Sequence, residues 1–166
     1  SNLKVFAENN LSIIIQEIKD TKPTIAIIDS IQAINNSDLE SSSGSVSQVR
    51  SCSSELQKFA KDNNIALLII GHVTKDGALA GPKTLEHLVD VVLNFEGDHI
   101  ASHRLLRGIK NRFGATFELG IFEMLENGLS EIKNPSSNFT NKENIAGLAT
   151  TITLEGTRSF AVDIQS

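Results

Sequence analysis

Read for the spacing of apolar and polar positions, the chain alternates short apolar runs with stretches of helical period. Leu3 to Ala7 predicts a short strand. Leu11, Ile14, Ile15 and Ile18 recur at the three-and-four spacing of one helix face, with Asn10 as N-cap and Pro23 as terminator. Ile25 to Ile28 is apolar at every position and ends in Asp29-Ser30, the pattern of a parallel strand buried on both faces. A polar, Ser-rich loop covers Asn35 to Ser47. A second helix then carries Val49, Cys52, Leu56 and Phe59 on one stripe and stops at Asn63-Asn64. Ile65 to Ile70 is another apolar strand, closed by Gly71-His72. Strand, helix, strand in this order predicts a βαβ unit with a right-handed crossover.

After His72 the period changes. Val89 to Phe95, Arg104 to Lys110, Glu118 to Met124 and Leu129 to Ile132 predict strands, the last two joined at Asn127-Gly128. This half reads as an antiparallel extension of the sheet. Asn134 to Asn144 has the composition of a linker. Gly147 to Ile164 adds two β-rich runs around Glu155-Gly156-Thr157-Arg158, too little to close a core alone, so they predict the start of a second domain. The fold class expected is α/β.

Composition narrows the function classes. The 166 residues are 40% hydrophobic and 21% charged, an ordinary composition for one soluble domain. No apolar run approaches the ~20 residues that span a bilayer, and no signal-peptide pattern opens the chain, so no membrane partner is expected. A net charge of -5 argues against a free-standing nucleic-acid module with a general basic surface, though not against a local basic stripe. The single cysteine, Cys52, excludes an internal disulfide or a cysteine zinc site and fits a reducing cytoplasm.

Four segments could carry chemistry. Asp29 stands at the C-terminal end of an apolar strand, where open α/β sheets bind ligands and where a phosphate-loop NTPase holds Mg²⁺; a turn or capping aspartate has the same local pattern. Gly77-Ala78-Leu79-Ala80-Gly81-Pro82-Lys83-Thr84 nearly matches a phosphate-binding loop. Pro82, however, stands where the second glycine must donate an N–H, and proline has none. His72 ends the next strand and could sense a γ-phosphate, or be a hydrogen-bonded strand-end histidine. Lys110-Asn111-Arg112-Phe113-Gly114 places two cations one residue apart; they suit a phosphate contact, an arginine finger in a ring, or a solvated strand end. Arg104 and Arg107 extend that basic stripe towards nucleic-acid phosphates. The Ser41 to Ser47 run reads as a flexible solvated loop, with anion contacts as the alternative. Cys52 is expected in the core, and His87, His99 and His103 lack metal-ligand spacing.

In order along the chain stand Ile28-Asp29-Ser30-Ile31-Gln32, Gly44-Ser45-Val46-Ser47-Gln48-Val49-Arg50, Gly71-His72-Val73-Thr74-Lys75 and Ala80-Gly81-Pro82. Leu85-Glu86-His87, Val89-Asp90, Phe95-Glu96-Gly97-Asp98, Lys110-Asn111-Arg112-Phe113-Gly114 and Glu155-Gly156-Thr157-Arg158 follow. Together they resemble the bacterial RadA (Sms) family of DNA-repair proteins over nearly the whole chain. The resemblance implies an N-terminal zinc finger, a RecA-like ATPase core related to DnaB-type ring helicases, and a Lon-protease-like C-terminal domain. On that basis residues 1–134 would be the C-terminal portion of the ATPase domain, 135–145 a linker, and 146–166 the first strands of the α+β Lon-like domain.

The resemblance also implies roles. Asp29, with Ser30 beside it, would be the Walker B residue for ATP and Mg²⁺. His72 would occupy the sensor position, and Lys110 and Arg112 would act in trans on a neighbour's nucleotide. Arg50, Lys75, Lys83 and Arg107 would meet DNA, and the loops after Asp29 and His72 would face a ring channel and single-stranded DNA. The expected activity is DNA-dependent ATP hydrolysis driving branch migration. The expected partners are single-stranded or branched DNA, a hexameric ring of copies and a RecA-type recombinase. The family's zinc-finger cysteines, phosphate loop, catalytic glutamate and most of the Lon-like domain are not found in this chain, so the chain alone is expected to bind neither ATP nor zinc. An ATP-dependent Lon-like serine peptidase and a non-catalytic assembly scaffold are the competing readings; no Ser–Lys dyad is present.

Overall fold

The structure is a computed structural model of the chain; it describes residues 2–72, 85–97, 103–116, 118–133, 146–155 and 158–165. It divides into two compact units, 1–89 and 90–166.

In the first unit, helix α1 (Leu11–Thr21) begins where Asn10 Oδ1 accepts the backbone N–H groups of Ser12 and Ile13 at 3.0 and 3.3 Å. These donors have no partner inside the helix. Lys22 ends it in the left-handed region, φ 47°, and returns its N–H to the Ile18 carbonyl; a residue before proline is disfavoured in the right-handed helical region. Strand β1 (Ile25–Asp29) leads through a 3-10 turn (Ile31–Ala33) and a loop to α2 (Val46–Asp62), capped by Ser45 Oγ. Strand β2 (Ala66–Ile70) pairs in parallel with β1, from Ile25 opposite Ala66 to Asp29 opposite Ile70. The βαβ order expected from the apolar runs is therefore present.

The core of this unit joins Leu11 and Ile14 of α1, Ile28, Ile31 and Ile34 from the β1 side, and Val49, Cys52 and Leu56 of α2. Each such burial contributes about 1.5–3 kcal/mol relative to exposure. Two expectations are corrected. Ile25 and Ile27 are 60% and 57% exposed, so β1 is buried through Ala26 and Ile28 on one face only. Side chains alternate across a strand, and the second face has no covering layer among the described residues. Leu3 to Ala7 forms no strand; Leu3 and Val5 are exposed. β-propensity produces a strand only against a pairing partner. Here the single parallel bridge joins Asn10 to Asn35.

The second unit contains an antiparallel sheet in the order β3 (Val91–Gly97), β4 (His103–Asn111), β5 (Leu119–Leu125), β6 (Gly128–Glu131). Among the described residues these four strands form one four-stranded sheet. Gly128 follows the tight turn at φ 112°, which a side chain would resist. A hairpin of β7 (Leu148–Glu155) and β8 (Arg158–Gln165) packs Phe160 and Val162 against Leu119, Ile121 and Leu105. The described structure thus groups this hairpin with β3–β6. The linker expected over 135–145 lies outside the described residues. No described helix is long and apolar enough to cross a membrane.

Candidate functional site

The parallel pair brings two strand ends together. Asp29 closes β1 with its carboxylate exposed, and β2 ends beside it at Ile70. Gly71-His72 carries the chain past that edge, and His72 Nε2 lies 4.0 Å from Asp29 Oδ1, both side chains 67% exposed. At this separation the imidazole and the carboxylate, both facing solvent, flank a gap rather than share a hydrogen bond. The Asp29–Ser30 peptide is cis, and Ser30 opens the 3-10 turn without a side-chain cap.

Gln32 in that turn holds the second strand end. Its Nε2 donates to the His72 carbonyl at 3.0 Å and its Oε1 accepts the His72 N–H at 3.4 Å. One amide thus satisfies both backbone groups of His72. Gln32 closes the Ile28-Asp29-Ser30-Ile31-Gln32 segment, and a polar residue three positions after a strand-end Asp is its signal in the sequence.

The loop between the 3-10 turn and α2 is anchored. The Gln48 side chain is fully buried. Its Oε1 accepts the Asn36 N–H at 2.8 Å, and its Nε2 faces the oxygens of Asn35 (side chain), Asn36, Leu39 and Ser41. Ser47 Oγ donates to Ser41 Oγ at 2.8 Å. The flexible loop expected at Ser41 to Ser47 is corrected on this point: its start and end are tied to the first turn of α2. The signal was present, since Gln48 sits four residues before Cys52 on the apolar stripe. Arg50, next along the helix, is exposed. Cys52 is buried as expected, and burial, then the neighbouring Glu55 carboxylate, push its thiol pKa up.

In the second unit, Lys110 and Asn111 end β4, and Arg112 follows. The Arg112 backbone N–H donates to the Asp90 carbonyl at 3.1 Å and its Nη1 to Asp90 Oδ1 at 2.8 Å. Asn111 Oδ1 accepts the Phe113 N–H at 2.9 Å, closing the turn and leaving Phe113 81% exposed. Arg104 Nη1 donates to the His103 carbonyl, and Arg107 lies half-buried in β4 opposite Leu119. Lys75, Lys83, His99 and the near-miss loop Gly77 to Thr84 lie outside the described residues. Among the described residues no group of three His, Cys, Asp or Glu could hold a metal ion by itself. A lone exposed carboxylate is nevertheless what Mg²⁺ takes from a protein when substrate phosphates and waters supply its other ligands.

No family model matches the chain. It is 54% identical to the DNA repair protein RadA of Synechocystis sp. over 99% of this chain and 33% of that protein. The RadA proteins of Listeria monocytogenes and Bacillus subtilis are 50% and 48% identical, each over 99% of this chain and 36% of the relative. Among solved structures, a KaiC-like protein from Pyrococcus horikoshii OT3 superposes with a TM-score of 0.52 at 18% identity, covering 74% of this chain and 55% of that one. That likeness, with the parallel pair and its connecting helix, agrees with a RecA-like α/β core. The chain spans about a third of the length of the curated relatives it matches, and across nearly its whole length it belongs to the RadA family.

Proposed function

We propose that the protein carrying this chain is a DNA-dependent ATPase of recombinational DNA repair, working as a branch-migration motor in the cytoplasm. The relatives are named DNA repair proteins, which supports the process. The observation that carries the chemistry is the pairing of Asp29 with His72 at the C-terminal ends of two parallel strands, 4.0 Å apart. In this reading Asp29 and Ser30 help hold Mg²⁺ and ATP, and His72 reads the γ-phosphate. A bound Mg-nucleotide supplies the electrophilic phosphorus; the chain's own groups orient it. Arg112 and Lys110 complete the site of an adjacent copy in a hexameric ring, where a fork-shaped donor stabilises charge on the transferred phosphoryl group. Arg50, Lys75, Lys83 and Arg107 contact single-stranded or branched DNA, and a RecA-type recombinase works on the same substrate.

The chain by itself lacks the phosphate loop, because Pro82 removes the N–H that loop requires. It therefore binds no ATP alone. The test is steady-state ATP hydrolysis by the full-length protein with and without single-stranded DNA, and with Arg112→Ala. Stimulation that the substitution abolishes, with the fold intact, supports the reading. Wild-type hydrolysis by the variant refutes the role of Arg112. Absence of any DNA stimulation in the wild type refutes the motor.

A further inference from the structure

We propose that Gln48 and Asn36 form a latch that presets the loop after Asp29 for DNA, which makes them positioning residues for DNA-stimulated hydrolysis. The inference rests on the reading that this loop meets single-stranded DNA.

The loop leaves the site directly: Asp29, Ser30, the 3-10 turn, Ile34, then residues 35–45. Its first residues are clamped from two sides. Asn35 N–H donates to the Asn9 carbonyl at 2.8 Å, and the Leu11 N–H donates to the Asn35 carbonyl at 3.0 Å. On the other side lies the buried Gln48 amide. Its two N–H groups are shared among four oxygens at 2.9 to 3.4 Å, three of them the loop's own carbonyls. The loop therefore curls around one side chain of α2. Asn36 repeats the arrangement in reverse. It is 7% exposed, its Nδ2 donates to Glu55 Oε1 at 2.9 Å and Ser51 Oγ at 3.2 Å, and its Oδ1 accepts the Asp38 N–H. Two interlocked amides thus hold residues 35–41 against the helix.

A buried amide with its donors aimed at fixed carbonyls is expensive to mispair, so it specifies one loop shape. A loop already in its binding shape loses less freedom when a strand docks. What it presents is polar: Ser37, Ser42 and Ser43 are exposed, with Arg50 one turn into α2. Asp38 and Glu40 are exposed on the same loop and repel phosphates. The shape therefore matters more than net charge, and the loop meets DNA through hydroxyl and backbone groups with one arginine.

The experiment uses the full-length protein, with ATP hydrolysis titrated against oligo(dT). Gln48→Glu is isosteric but turns an oxygen towards four oxygens. It is expected to raise the DNA concentration for half-stimulation at least tenfold, with DNA-free hydrolysis within twofold of wild type. Asn36→Asp faces Glu55 with a second carboxylate and is expected to act alike. Asn36→Asp combined with Glu55→Gln restores a donor–acceptor pair with the roles exchanged and should recover most of the wild-type titration. A merely destabilising role would move DNA-free and DNA-stimulated rates together. The proposal is overturned if Gln48→Glu and Asn36→Asp titrate like wild type, or if the exchanged pair rescues nothing while DNA-free hydrolysis stays normal. A wild type that DNA does not stimulate overturns the functional reading itself, and this proposal with it.

Discussion

Arg112 is bound to Asp90 twice, through its backbone N–H at 3.1 Å and through its guanidinium at 2.8 Å. The backbone bond fixes where the turn after β4 begins, and the side-chain bond fixes which way the guanidinium points. Arg112 remains 53% exposed in this arrangement, so the pair is screened by water. Exposed pairs contribute less than about 1 kcal/mol to stability. Its importance is directional. Asp90→Ala in the full-length protein should shift the melting temperature by no more than a few degrees while lowering DNA-stimulated kcat about tenfold. Thermal melts and steady-state rates on the same preparation check this, and an unchanged kcat would show that Asp90 merely neutralises Arg112.

Removing the guanidinium itself should cost far more. An arginine finger, the role proposed for Arg112, is worth on the order of 10³ or more in rate. Arg112→Ala is expected to lose that factor in the assembled protein, and mixing it with wild-type subunits should poison activity beyond the mole fraction added. That excess inhibition is the signature of a residue acting on its neighbour's site; inhibition in simple proportion would place Arg112 in its own subunit's chemistry.

Stability of the first unit should depend on the contact between α2 and the β1 side. Leu56 is 1% exposed and lies in the cluster with Ile28, Ile31 and Ile34. Leu56→Ala is expected to cost about 2–5 kcal/mol, measured by urea denaturation of the full-length protein. Asn10→Ala, which removes the cap of α1, should cost only about 1 kcal/mol. Reversal of that order would mean that the helix start, rather than the packed stripe, limits folding of this unit.

Cys52 makes stability depend on alkaline pH. Burial raises its thiol pKa in the folded state, and the Glu55 carboxylate adds to the effect. The folded chain therefore holds this proton more tightly than the unfolded chain. The contribution is complete below the unfolded thiol pKa, about 8.5, and is lost as pH rises from there through the folded value. Urea midpoints should decline above about pH 8.5 in the wild type and decline less in Cys52→Ala. The thiol should also react slowly with a disulfide reagent until the protein is denatured. Equal slopes for the two proteins would assign the alkaline loss to other groups.

Much of this arrangement is legible in the amino-acid sequence. Of the stripe Val49, Cys52, Leu56 and Phe59, the first three name the buried face of α2 over two turns, and Phe59 is half-buried outside the core cluster. The run Ile25 to Ile28 named β1 and put Asp29 at its end. The same run misled about burial: an all-apolar strand needs a layer on each face, and period alone does not say whether both are present. Leu3 and Val5 read as strand from propensity, which supplies no partner. The amides of Gln32, Gln48 and Asn36 were harder to see, because a glutamine in a polar stretch looks solvated until its acceptors are placed around it. Asp90 escaped for a related reason: it lies 22 positions from Arg112, and only the β3–β4 pairing brings the two together.

In the proposed function Asp29 is the carboxylate that holds the metal–nucleotide. Mg²⁺-dependent ATP hydrolysis by the full-length protein with Asp29→Asn tests this, an isosteric change that removes the negative charge and turns one acceptor oxygen into an amide donor. The expected result is a loss of at least a hundredfold in kcat with a normal melting temperature and normal assembly. Hydrolysis at the wild-type rate, with the same dependence on Mg²⁺ concentration, would contradict it.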